Sequence, residues 1–183
     1  LQNQYVVYRK KDNLNSSEEV FLDPNKFSED GTISLTGLYF SEDGKLISYA
    51  ISEGGSDWRK AIVMDTETKQ IIGDTLTNIK FSGISWSGNK GFYYSSYDKP
   101  EGSELSEYTD RHKLYYHELN TDQKLDKIVF GDQREKYRYV SGNVSEDNNF
   151  LFISASNLTD GNELYMIDLR KNSNRILTIS DDP

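Results

Sequence analysis

The stretch FSEDGKLISYAIS, Phe40–Ser52, decides the fold. Ser41-Glu42-Asp43-Gly44 carries the polar chemistry of a tight turn, with residues that tolerate a left-handed backbone. Leu46, Ser48 and Ala50 then alternate with Ile47, Tyr49 and Ile51, the period of a strand with two unequal faces. Nearly the same phrase returns as WSGNKGFYYSS, Trp86–Ser96, and as VSEDNNFLFISAS, Val144–Ser156.

Aligned on Ser41, Ser87 and Ser145, the copies lie 46 and 58 residues apart. Each serine follows a large apolar residue (Phe40, Trp86, Val144) and precedes a turn and an alternating strand. Farther on, each copy has a strand ending in an acid at Asp65, Glu118 or Asp168, and then a last strand in QIIGDTL, KLDKIVF or RILTIS. With the strand leading into the serine, every unit has four strands. That count and period match a β-propeller blade. The extra length of the second unit falls in a polar loop, Tyr97 to His112.

No helical period competes with this pattern. DPNKFSED offers one short helix, with Asp23 as cap and Pro24 in first position, and a plain turn fits it equally well. QYVVYRKKDNLNSSEEVFLD supplies two strands around a polar turn, the outer half of a preceding unit. The expected architecture is therefore all-β: a β-propeller segment of three to four four-stranded antiparallel blades. The expected divisions are a half blade at 1–37 and blades at about 38–80, 81–137 and 138–183. Propellers close with about 4 to 8 blades, so either a small ring closes here or a larger ring is cut short, and the half-blade start and abrupt end favour the larger ring.

Composition narrows the function classes. The 183 residues include 13 Tyr and 8 Phe, enough to build a core despite 28% charged residues. The net charge is −9 and the basic residues are scattered singly, which argues against a nucleic-acid partner. Cysteine is absent, which removes disulfides, thiolate zinc sites and a cysteine nucleophile. No apolar run approaches the ~18 residues of a membrane-spanning helix, so no membrane partner is expected. A cytoplasmic or a bacterial periplasmic location both fit, and the N-terminus, which does not begin with Met, reads as a cut end.

The chain offers little catalytic machinery. Gly83-Ile84-Ser85-Trp86-Ser87 approaches a nucleophile elbow but ends in Ser where Gly is required, and no helix signal follows it. Ser85 is expected to be an ordinary strand residue. His112 and His117 are expected to be surface or internally satisfied rather than general bases. The repeated turns do not follow a calcium-loop pattern, and the acids of EGSELSEYTD read as a solvated loop. No cofactor, metal site or catalytic residue is expected within these residues. Asn15, Asn143 and Asn157 begin N-x-[ST] triplets, short patterns that arise readily by chance.

FLDPNKFSEDGTISLTG, FSEDGKLISYAISEGGSDW, IKFSGISW and HKLYYHELNTDQ resemble the propeller domain of the prolyl oligopeptidase family, over nearly the whole chain and in family order. The resemblance implies a serine peptidase in which a seven-bladed propeller caps an α/β-hydrolase domain carrying the Ser-Asp-His triad. Short peptides are then cut after proline and folded proteins are excluded. These residues correspond to the early blades, the triad lies outside them, and the segment alone is expected to be inactive. Its partners would be short proline-containing peptides and the hydrolase domain of the same polypeptide.

The resemblance maps Phe81 onto a phenylalanine lining the apolar pocket for residues upstream of the proline. Asp57 maps onto an aspartate that pairs with an arginine of the hydrolase domain. Read from the residues alone, Phe81 also suits blade core, and Asp57 also suits a hairpin loop bound to local amides. Trp58 reads as packing. Tyr139 and Leu158 fall where the family often carries sulfur-bearing pocket residues. A free-standing interaction propeller without catalysis is the alternative, weakened by the lack of a repeated Gly-His and Trp-Asp signature.

Overall fold

The computed structural model describes residues 3–97, 111–132, 137–157, 162–171, 173 and 175–180. Within them the chain forms fourteen strands and two short 3-10 turns. The strands make one two-stranded and three four-stranded sheets, all antiparallel and each built from consecutive strands. β1 (Val7–Lys10) and β2 (Glu18–Leu22) form the small sheet. β3 (Ile33–Phe40), β4 (Leu46–Glu53), β5 (Trp58–Asp65) and β6 (Ile71–Lys80) form the next. β7 (Ile84–Ser87), β8 (Gly91–Ser96), β9 (Lys113–Glu118) and β10 (Lys127–Phe130) follow. β11 (Tyr139–Val144), β12 (Phe150–Ser156), β13 (Glu163–Asp168) and β14 (Ile176–Ser180) complete the set.

The expected acids close the third strand of each four-stranded sheet at Asp65, Glu118 and Asp168. The first boundary differs from the expected one: a cut at 38 would divide β3, which begins at Ile33. β3 is longer than the four residues of β7 and carries an irregularity between Leu35 and Gly37, so its start lies farther from Ser41 than the motif suggests. The DPNKF stretch forms a 3-10 turn at Pro24–Lys26, capped by the Asp23 carboxylate, which accepts from the Asn25 amide.

Two of the three repeated turns are built alike. The Ser41 hydroxyl donates to Asp43 and accepts the Leu46 amide at 3.0 Å, while the Asp43 carboxylate accepts the Lys45 amide. Ser145, Asp147 and the Phe150 and Asn149 amides repeat the arrangement. The turn after Ser87 is one residue shorter. Ser87 pairs directly with Gly91, and Gly88 takes φ of +55°, so Ser87 aligns in the repeat without sharing the turn chemistry.

Three apolar clusters lie between successive sheets. Phe21 and Leu22 of β2 pack with Ile47, Tyr49, Ile51 and Met64 of the β3–β6 sheet. The opposite face of that sheet, through Ala61, Val63, Leu76 and Ile79, meets Ile84, Trp86, Phe92 and Tyr94 of the β7–β10 sheet. Tyr93, Leu114 and Phe130 then meet Val140, Leu151, Ile153 and Ile167 of the β11–β14 sheet. Inner strands bury both faces, so β8 reads GFYYSS with every residue buried. This repeated stacking of four-stranded antiparallel sheets is the blade architecture expected from the repeat.

Side chains from one sheet satisfy the edge strand of the next. β11 lies at the edge of its sheet. Its Val144 amide donates to the Ser85 hydroxyl, and its Val140 amide donates to Nδ1 of His112. Trp86 Nε1 donates to the Tyr39 carbonyl at 2.8 Å. Unpaired edge amides would otherwise remain as open hydrogen-bonding sites.

Candidate functional site

Phe81 links β6 to β7 and adopts φ of +51°, in the left-handed region that bulky side chains rarely enter. The residue is 45% exposed and lies outside the three apolar clusters, unlike a core phenylalanine. It meets Tyr97 edge-on at 6.2 Å between centroids and Tyr139 at 6.0 Å. Lys80 Nζ stands 5.2 Å from the Phe81 ring and 5.0 Å from the Trp58 ring, and the Arg138 guanidinium stands 5.5 Å from Tyr139. The result is an aromatic ledge with cationic flanks, suited to contact with apolar side chains and with anionic or carbonyl groups.

Asp57 sits at the same end of the β3–β6 sheet. Trp58 pairs with Lys80, so the antiparallel register carries Asp57 and Phe81 to neighbouring positions just beyond that pair. The loop before Asp57 turns through Gly54 and Gly55, at φ of +58° and +73°. Local contacts there belong to Ser56, whose hydroxyl accepts the Trp58 amide and whose carbonyl accepts the Ser52 hydroxyl. The Asp57 carboxylate is exposed and has no hydrogen-bond or ion-pair partner among the described residues. Trp58 is half-buried and belongs to none of the three apolar clusters, and its buried Nε1 also lacks a partner among the described residues.

Beneath the ledge lies a layer that sequence reasoning missed. The Tyr97 ring packs against His112 with centroids 4.4 Å apart and the planes tilted by 35°, and its hydroxyl donates to the Arg138 carbonyl at 2.6 Å. His112 has 0% exposure and is satisfied on both sides. Its Nε2 is 2.9 Å from the Lys80 carbonyl, and its Nδ1 accepts the Val140 amide at 2.8 Å. These bonds define a neutral imidazole protonated at Nε2. Burial pulls its pKa down to about 4, against the weaker opposing effect of the backbone bonds. Its partners lie 32 and 28 residues away in sequence, so no local motif marks the role.

The other polar groups of interest are structural. The Ser85 hydroxyl is occupied by the Val144 amide, as befits a strand residue. His117 and Asp126 pair at 2.8 Å in the interior, and Asp126 also accepts the Tyr94 hydroxyl. Among the described residues no serine hydroxyl bonds to His117, so this pair ties β9 to the segment before β10 rather than activating a nucleophile. Burial raises the Tyr94 hydroxyl well above the ordinary tyrosine range. Leu158 and the acidic loop 101–110 lie outside the described residues.

A family profile described as the N-terminal β-propeller domain of prolyl oligopeptidase matches residues 1–182. The chain belongs to this family. A prolyl endopeptidase from Elizabethkingia miricola is 53% identical over 181 residues, which are 98% of this chain and 25% of that protein. The prolyl endopeptidase of Elizabethkingia meningoseptica is 51% identical over the same share of each. A solved prolyl endopeptidase superposes over 100% of this chain and 26% of its own, with a TM-score of 0.83 and 28% identity. The propeller segment therefore spans about a quarter of the length of the curated relatives it matches.

Proposed function

We propose that this propeller segment gates and shapes the active site of a serine-type prolyl oligopeptidase that hydrolyses short peptides after proline. The observation that carries the reading is the 53% identity to a prolyl endopeptidase across 98% of the chain. Catalysis would reside in a hydrolase domain of the same polypeptide, and the segment alone would be inactive. A free-standing scaffold is less favoured, because the relatives matched along the chain are peptidases. A related oligopeptidase from Galerina marginata has been solved with a bound 35-residue substrate, which supports a peptide as the ligand class.

In this reading Phe81 offers an aromatic face to residues upstream of the proline. Its half-exposed ring gives area without demanding one side chain. Asp57 faces the hydrolase domain. Its exposed, unpaired carboxylate is a group that a cation of such an interface would satisfy. We place the protein in the cytoplasm or a bacterial periplasm, consistent with a chain that needs no disulfide. No helix among the described residues is long and apolar enough to cross a membrane.

The test is an assay of the full-length protein on a proline amide carrying one upstream residue and on another carrying two or three apolar ones. Cleavage after proline is expected, and failure to cleave either substrate overturns the proposal. Phe81→Ala should raise KM for the longer substrate by about tenfold and change that of the shorter one by less than about twofold.

A further inference from the structure

Phe81 has a backbone conformation that does not persist unaided. A bulky residue at φ of +51° costs about 1–3 kcal/mol and is found where the surroundings hold it. The peptide plane entering Phe81 carries the Lys80 carbonyl, and that carbonyl bonds to His112 Nε2. The peptide plane leaving Tyr139 carries the Val140 amide, which bonds to Nδ1 of the same ring. One imidazole thus grips the chain beside both aromatic residues of the ledge, from beneath, while Tyr97 packs against it at a tilt and touches Phe81 edge-on.

We propose that His112 is a positioning residue for peptide recognition, holding Phe81 and Tyr139 in register across three sheets. The proposal rests on the reading of Phe81 as peptide-facing. The three sheets meet here through a ring that has no slack. Besides its two ring bonds, the His112 backbone amide donates to the Tyr137 carbonyl at 2.8 Å. Gly131 lies so close that an added Cβ would sit 2.7 Å from the His112 carbonyl. A histidine that served blade stability alone could bond any carbonyl and amide across the seam. This one bonds the two that adjoin the exposed rings.

The two nitrogens can be separated chemically. An asparagine amide oxygen reaches about where Nδ1 stands and can still accept from Val140. A glutamine amide nitrogen reaches about where Nε2 stands and can still donate to Lys80. His112→Asn therefore releases the Phe81 side and His112→Gln the Tyr139 side. In the full-length protein, His112→Asn should raise KM for the longer substrate by about five- to tenfold relative to the shorter one, mimicking Phe81→Ala, with kcat changed less than about twofold. His112→Gln should shift that ratio less. Equal KM changes on both substrates, or none, would overturn the positioning role. If Phe81→Ala itself leaves the ratio unmoved, the peptide-facing reading is wrong and a crystal structure of His112→Asn decides the positioning. A Phe81 that leaves the left-handed region supports it, and one that keeps φ near its present value overturns it.

Discussion

Ser41 and Ser145 show how one hydroxyl organises a turn. Each donates to an aspartate two residues on and accepts the amide that begins the returning strand. The aspartates respond. The Lys45 amide, then Asn89, holds the Asp43 carboxyl well below the usual carboxylate range, and the Ser145 hydroxyl does the same for Asp147. Ser41→Ala or Ser145→Ala removes the acceptor of an otherwise unpaired amide and should cost about 1 kcal/mol in urea unfolding. Ser87→Ala should cost less than about half of that, because the shorter turn relies on Gly88 instead. Equal losses at all three sites would show that the turns are equivalent after all.

At the scale of the element, the sheets depend on close approach between strands as much as on apolar area. Gly91 opens β8 opposite Glu118, and a Cβ there would fall 2.1 Å from the His117 carbonyl. That neighbour is backbone and cannot rotate away. Gly91→Ala should therefore force β8 from β9 and destabilise the chain by about 3 kcal/mol, seen as a lowered Tm. Gly142→Ala is the informative contrast. Its Cβ would meet the Leu114 and Leu151 side chains, which can shift, so the loss should be smaller. A Gly91→Ala chain as stable as the parent would mean that the strand pair is looser than this spacing requires.

For the whole molecule, the seam between sheets sets the response to acid. His112 is neutral in the fold with a pKa near 4, below the ordinary 6.5, so the unfolded chain takes up its proton first. The stability this residue confers is complete above about pH 6.5 and is lost between there and pH 4, a total of about 3 kcal/mol. The depressed carboxyls of Asp43, Asp147 and Asp168 act in a lower window. Their contribution stands above the ordinary carboxylate range and disappears as pH falls through their folded values. Acid unfolding should therefore begin at the seam and finish at the turns. Between pH 7 and 5, the parent chain should lose about 2 kcal/mol more than His112→Asn in urea unfolding. Parallel losses would remove His112 as the cause.

The sequence alone determined the strands, the repeat and the family, because each rests on local pattern: alternation in KLISYAIS and FLFISAS, turn residues at Ser41 and Ser145, and a terminal acid in each third strand. It also marked Phe81 and Asp57, though only through resemblance. The tertiary structure alone decided how those residues stand. It set Phe81 in a left-handed conformation against Tyr97 and Tyr139, and it turned His112 from a loop-edge histidine into a buried bridge. The reason is range. A turn or a strand is specified within a few residues, whereas the partners of His112 come from two other sheets and meet it only when the blades have stacked.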